Sequence, residues 1–196
     1  MTIRKKIFSA IIATTLFGGV VNVASAYNHI LLPTIYDSKI NFISYQVQST
    51  FDSSTKTQIS EAITTWNNIL PEGFLYKSSI ETSATTPSEN NINTITKYAY
   101  GAQSINAEHI PYTNSKGLID ESDIKVNSSK KWSSTVKVGY LDIKSTMTHE
   151  FGHALRVGHS STYADTMYDY STEGTDYKRT LTSDDEDAAN DSYVRW

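Results

Sequence analysis

The stretch HEFGHALRVGH, residues His149–His159, places three histidines and one glutamate within eleven residues. On an α-helix, His149 and His153 are four residues apart and therefore project from the same face. Glu150 is rotated by about 100° from His149, so its carboxylate can reach a water on a shared ion without ligating the ion. Two imidazoles and one carboxylate at this spacing are typical of zinc hydrolases.

The third histidine, His159, can reach the same ion only if the helix stops before it. A continued helix would carry His159 about 9 Å beyond His153 and onto another face. We therefore predict that a helix running from about Asp142 ends near Leu155 and that the chain then doubles back, with Gly158 supplying backbone freedom. Three neutral imidazoles and a water would complete a tetrahedral zinc site of the catalytic type.

A methionine follows this stretch in ADTMYDY, residues 164–170. With the histidines, this segment resembles the metzincin clan of zinc peptidases, whose pattern HExxHxxGxxH is followed by a methionine turn. The segments GLIDESDIKVN and LTSDDEDAANDSY make the chain most similar, within that clan, to a bacterial form of the matrixins. The resemblance implies a zincin-like fold and zinc-dependent hydrolysis of peptide bonds.

The resemblance also assigns roles to individual residues. It implies that His149, His153 and His159 ligate one catalytic zinc and that Glu150 is the general base. It places Met167 in the methionine turn beneath the zinc, without a chemical role. Tyr170 is a candidate for lining the substrate pocket; a packing role is the alternative.

Two positions depart from the family pattern. Arg156 stands where the family has glycine, at the point where the chain leaves the helix. A left-handed conformation costs a non-glycine residue about 1–2 kcal/mol, whereas structural zinc sites are worth about 10–16 kcal/mol. We therefore expect an intact site. Asp169 stands where the family commonly has proline, which leaves the wall of the substrate pocket undetermined.

The pattern of apolar residues outlines the rest of the fold. It predicts an inner strand over 39–47, a helix around Trp66 capped by Ser53, Ser54 or Thr55, and strands at TITKYAY and DIKVN. The shorter segment AEHIPY is, by the resemblance, an edge strand for substrate. A last helix is expected over 183–193, with Ser183 and Glu186 as a capping box. These elements indicate an α+β class, and the resemblance implies a twisted, mixed five-stranded sheet with about three helices.

The N-terminus has the pattern of a secretory signal peptide. A basic start, MTIRKK, precedes an apolar stretch and the small-x-small site ASA at 24–26. We predict cleavage after Ala26, a catalytic domain over 27–196, and secretion to the extracellular space, with the periplasm as the alternative.

Charge and composition restrict the partners of residues 27–196. This part of the chain has 14 basic and 21 acidic residues, a net charge of −7, which argues against nucleic acid or an anionic membrane as partner. We expect a monomer that acts on a protein or peptide. Without cysteine, thiol catalysis and thiolate ligands are excluded.

Several other polar residues carry weaker predictions. Calcium binding by Asp120, Glu121 and Asp123 stays open, although their spacing is not that of an EF-hand and favours a turn into a strand. His29 and His109 are expected at the surface. The acidic residues 184–187 suit the first turn of a helix and need no function.

Two alternative functions remain at this stage. The first is a metzincin-like binding module that has lost catalysis, supported only by Arg156 and opposed by the presence of Glu150. The second is zinc-dependent hydrolysis of a bond other than a peptide bond, because histidine spacing alone does not select the substrate.

Overall fold

The computed structural model describes residues 29–31, 36, 41–70, 74–101 and 103–194. The predicted signal peptide and its cleavage site lie outside these residues. The strands are β1 (His29–Leu31), β2 (Ile43–Val47), β3 (Leu75–Lys77), β4 (Thr94–Tyr98), β5 (Ala107–Thr113), β6 (Ile119–Asn127), β7 (Trp132–Ser133), β8 (Leu141–Asp142) and β9 (Val157–Ser160). The helices are α1 (Ser53–Asn67), α2 (Ile143–Ala154) and α3 (Ser183–Val194), with one 3₁₀ turn at Tyr177–Arg179. No helix of the described ranges is long and apolar enough to cross a bilayer.

The main sheet has five strands in the order β3-β2-β4-β6-β5. Neighbours are parallel except for β5, which runs antiparallel to β6. The predicted mixed five-stranded sheet with three helices is confirmed. Strand β2 lies inside the sheet, as its two apolar faces predict, and β5 forms one edge, as the resemblance implies.

The core lies between this sheet and the helices α1 and α2. Tyr45 of β2 contacts Phe151 of α2 with ring centroids 5.5 Å apart, and both side chains are buried. Trp66 of α1 is fully buried and its indole N–H donates a 2.7 Å hydrogen bond to the carbonyl of Thr148 on α2. This bond joins the two helices, so the apolar face of α1 helps to hold the helix that carries the histidines.

The helix ends are close to the predicted ones, but two capping residues differ. Asp52, not a hydroxyl residue after it, caps α1 by accepting a 2.8 Å bond from the N–H of Thr55. At α3 the reciprocal pair is Thr182 with Asp185, one residue earlier than the predicted capping box. In both cases a carboxylate accepts a backbone N–H at the start of the helix.

The sequence pattern missed the short strands. Strand β3 has only three residues, after which the chain enters the polar segment 78–93, and it pairs in parallel with β2. Strands β1 and β9 pair with each other away from the main sheet, as do β7 and β8. Strands of two to four residues show no period of apolar residues, so only their partners define them.

Candidate active site

Helix α2 carries the first two histidines and the glutamate into the interior. The side chain of Asp142 caps the helix by accepting a 2.8 Å bond from the N–H of Ser145. Because α2 packs against both α1 and the sheet, residues on several of its faces are buried. His149 and Glu150 are therefore held within the protein, and the side chain of His153, one turn later, is partly exposed.

The turn after α2 is made by Arg156. The helix ends at Ala154, with Leu155 as its C-cap, and Arg156 has a φ of +68°. Its N–H still donates a 2.8 Å bond to the carbonyl of His153, after which β9 carries the chain back. The predicted end of the helix and the left-handed conformation of Arg156 are confirmed. Gly158 has no positive φ, so the suggestion that it shares this turn is wrong.

This turn brings His159 to the other two histidines. Its Nε2 lies 3.3 Å from Nε2 of His149 and 3.1 Å from Nε2 of His153. Bonds of 2.0–2.1 Å from one zinc to three imidazoles at tetrahedral angles require nitrogens about 3.3–3.4 Å apart. The two distances from His159 are within about 0.3 Å of this value, and one ligand atom from each of the three histidines lies within 4.8 Å of the others, so the cluster can hold a metal ion.

Backbone carbonyls and one carboxylate orient the rings. Nδ1 of His149 lies 2.8 Å from the carbonyl of Thr166, and Nδ1 of His153 lies 2.9 Å from that of Val157. Nδ1 of His159 is 3.3 Å from a carboxylate oxygen of Asp169. Such acceptors favour a proton on Nδ1 and leave the lone pair of Nε2 free for a metal.

Burial also keeps these imidazoles neutral. It lowers the pKa of His149 well below its usual value and that of His153 to about 4, and the imidazole of His159 lowers both values further. The pKa of His159 is lowered as well. Since a protonated imidazole cannot ligate a metal, neutral rings are the form that zinc requires.

Glu150 stands beside this cluster in a cleft of about 660 Å³. Its side chain is buried and accepts a hydrogen bond from the backbone N–H of His109 on β5. Burial raises its pKa to about 8, although the positive charge of Lys178 opposes the shift. The same cleft is lined by the three histidines, by the beginning of β5 and by residues 169–171 and 173.

Comparison with known proteins agrees with this geometry. The sequence profile of one family, Matrixin, matches residues 37–194. The chain belongs to the matrixin family. No curated protein sequence matched the chain significantly. Matrixins are zinc metalloendopeptidases, and His149, His153 and His159 form the histidine triad typical of their zinc site. The enzyme is accordingly a hydrolase that depends on zinc and acts on peptides or proteins.

In this matrixin, Met167 lies directly beneath α2 in the methionine turn, residues 164–170. Its side chain is fully buried. A Cβ added to Gly152 would lie only 2.2 Å from Sδ of Met167 and 3.0 Å from the ring of Trp66. Glycine at this position therefore allows the methionine to pack against the backbone of the histidine helix.

Asp185 holds the methionine turn in place, a role that the sequence interpretation missed. Its fully buried carboxylate accepts bonds from the N–H groups of Thr166, at 2.9 Å, and Met167, at 3.2 Å. The prediction that the acidic run at the start of α3 only complements the helix dipole is thus wrong for this residue. Residues 184–187 are all acidic, and nothing in this run of the sequence shows that Asp185 is the one whose side chain is buried.

Lys178 is a second residue that the sequence interpretation missed. It belongs to the 3₁₀ turn, is 1% exposed, and donates a hydrogen bond to the carbonyl of Tyr168. Its Nζ lies 3.4 Å from Nδ1 of His149. Burial lowers its pKa to about 8, against the opposing effect of Glu150. No motif marked this lysine, because its neighbours come from other parts of the chain.

The end of the methionine turn contains the second departure from the family pattern, Asp169, and the candidate pocket residue, Tyr170. Asp169, in the position of the usual proline, supplies the acceptor for His159. Tyr170 lines the cleft with its side chain 69% exposed, and its carbonyl accepts a 2.8 Å bond from the hydroxyl of Tyr177. A contact between Tyr170 and substrate stays a prediction.

The weaker predictions, for His29, His109 and the acidic residues 120, 121 and 123, have different outcomes. His109 is half-buried and not simply exposed: its Nε2 is buried without a hydrogen-bond partner among the described residues, and burial lowers its pKa to about 3. His29 lies in β1. Glu121 and Asp123 are buried within β6, where they accept backbone N–H groups of segment 88–94 instead of forming a turn. Calcium binding by Asp120, Glu121 and Asp123, which the sequence left open, stays open.

Proposed function

We propose that this matrixin is a secreted endopeptidase in which Nε2 atoms of His149, His153 and His159 ligate one zinc and Glu150 is the general base. The observation that carries the proposal is the convergence of three neutral imidazoles next to a buried carboxylate in an open cleft.

Bound zinc supplies Lewis acidity, which polarises the scissile carbonyl and lowers the pKa of the attacking water toward about 7. Glu150 accepts the proton of that water and returns it to the leaving amine. Burial raises the pKa of Glu150, which makes its carboxylate a stronger proton acceptor than an exposed glutamate. Met167 forms the floor beneath His149 and takes no part in proton transfer.

The substrate is held as an added strand. Strand β5 is the edge of the main sheet, and its beginning lines the cleft opposite residues 169–171. An extended peptide can pair with such an edge through backbone hydrogen bonds. Tyr170 then stands on the opposite wall, where its exposed ring is available to a substrate side chain.

A catalytically impaired binding module is the weaker alternative. It rested on Arg156, whose left-handed backbone nevertheless brings His159 into place. A module that only bound its target would not require a buried carboxylate beside the metal. Hydrolysis of another amide or ester is separated from peptide hydrolysis by comparing such substrates with peptides.

The test uses purified residues 27–196. We expect about one zinc per chain by elemental analysis, cleavage of casein, loss of cleavage with a zinc chelator, and recovery when zinc is restored. A protein that holds one zinc but cleaves no protein or peptide would overturn the assigned activity. Two zincs per chain would reveal a metal site beyond the three histidines.

A further inference from the structure

A second, much smaller cavity adjoins the cleft. Its volume is about 10 Å³, roughly enough for one water, against about 660 Å³ for the cleft. The two spaces share Leu141, Thr146 and Ser171 as walls. The small cavity is therefore a side pocket of the cleft.

The lining of this side pocket is polar. Asp142, Ser145, Thr175 and Lys178 contribute to it. The hydroxyl of Ser145 is buried and has no hydrogen-bond partner among the residues that the structure describes. A large apolar side chain would leave the hydroxyl of Ser145 without water or partner, whereas a small or hydroxyl-bearing one would not.

Lys178 limits the size of the side pocket. It is among the largest fully buried side chains of the described residues. Its ammonium is fixed to the carbonyl of Tyr168 and lies 3.4 Å from Nδ1 of His149. The side chain thus extends from the 3₁₀ turn to the back of the histidine cluster, and its stem occupies space that would otherwise belong to the pocket.

Strand direction indicates which substrate residue faces the side pocket. The antiparallel arrangement is the more stable pairing for a substrate on β5, and it directs the peptide from the Thr113 end toward the Ala107 end. Ala107 pairs with Val126 near the end of β6, after which the chain enters β7 and β8. Leu141 of β8 forms the wall of the pocket. The residue that follows the scissile bond therefore lies toward the Ala107 end of β5, on the side of the cleft where Leu141 separates the cleft from the pocket.

We propose that Lys178 is a specificity-determining residue, which restricts the residue after the scissile bond to glycine, alanine or serine. This inference rests on the proposed peptidase function and names its substrate class. Forcing a leucine or phenylalanine into so small a space would require side-chain and backbone shifts of the kind that overpacked cores show.

The experiment compares zinc-loaded wild type, Lys178→Ala and Lys178→Met on one peptide library, with cleavage sites read by mass spectrometry. The methionine variant is the matched control, because it keeps the length of the stem and removes the ammonium group with its charge and its hydrogen bond to Tyr168. Zinc content and thermal unfolding are measured for each protein. We expect wild type and Lys178→Met to favour small residues after the cleaved bond by about tenfold or more, and Lys178→Ala to gain about tenfold for leucine and methionine there.

Three results would count against these assignments. Preference of the wild type for leucine or phenylalanine after the cleaved bond would overturn the inference, whether or not the variants fold. An unchanged profile for a folded, zinc-loaded Lys178→Ala would do the same. If zinc-loaded wild type cleaved no peptide, the proposed function would fail and this inference with it.

Discussion

At the scale of single residues, a substitution of Glu150 tests proton transfer separately from metal binding. It lies in the cleft beside the histidines but is not one of the three groups that converge on the metal position. Glu150→Gln keeps the size of the side chain and removes the base. We expect it to retain about one zinc per chain and to lose roughly 10²–10⁴-fold in peptide cleavage.

The matched control for this substitution is Glu89→Gln, which changes an exposed glutamate in the loop before β4. Its rate should equal that of the wild type. Parental cleavage by Glu150→Gln, measured on casein and on a short peptide, would show that another group accepts the proton.

Arg156 allows the cost of the left-handed turn to be measured. Arg156→Gly and Arg156→Ala both remove the buried side chain, so the difference between them reports on the backbone at φ +68°. A Cβ costs about 1–2 kcal/mol in this conformation, and glycine gives back about 0.4–1 kcal/mol by loosening the unfolded chain. We expect the glycine variant to be more stable by about 1 kcal/mol in denaturant unfolding.

Zinc affinity should follow the same order, since the turn positions His159. Competition with a chelator should give the glycine variant zinc binding at least as tight as that of the alanine variant. An alanine variant more stable than the glycine variant would mean that the turn carries no strain. Loss of zinc and fold in the glycine variant would contradict this account of the turn.

At the scale of elements, α3 supports the zinc site through one carboxylate. Asp185 accepts the N–H groups of Thr166, Met167 and Thr182, so it joins the start of α3 to the methionine turn. Asp185→Ala would leave these buried donors without an acceptor, at about 1–3 kcal/mol for each group that water cannot reach. We expect a loss of about 2–4 kcal/mol in the free energy of unfolding, together with weaker zinc binding.

Asp187→Ala is the control on the same helix, because Asp187 is exposed. Asp187→Ala should change the free energy of unfolding by no more than about 0.5 kcal/mol. Equal destabilisation by both alanine variants in urea unfolding would show that helix charge, and not the contact with the methionine turn, is what matters.

At the scale of the whole molecule, the prediction concerns export and processing. The apolar stretch before Ala26 is bounded by a basic start and a small-x-small site. We expect the exported protein to begin at Tyr27, as determined by N-terminal sequencing of culture fluid and of the periplasmic fraction. Substituting Ala24 and Ala26 by bulky residues should abolish cleavage at this site. Recovery of Met1 in membrane-bound protein would contradict the signal peptide.

The sequence by itself determined the local features of this protein. Helical spacing of His149 and His153, the breaks in apolar periodicity and the run HEFGHALRVGH predicted α2, its end and the return of His159. These predictions depend on contacts between residues close in the chain, for which periods of 3.6 and 2 residues are sufficient. The α+β class and the inner strand β2 followed in the same way.

Only the tertiary structure decided which distant polar groups support the site. Asp185 was one of four acidic residues at a helix start, and packing of α3 against the methionine turn selected it. Lys178 and His109 look like ordinary polar residues in the sequence, yet Lys178 is buried behind His149 and the Nε2 atom of His109 is buried near His153. Burial and partners of such residues arise when separate elements pack together. No short-range sequence pattern predicts this burial, because the free energy of burying a polar side chain depends on partners that lie far away in the chain.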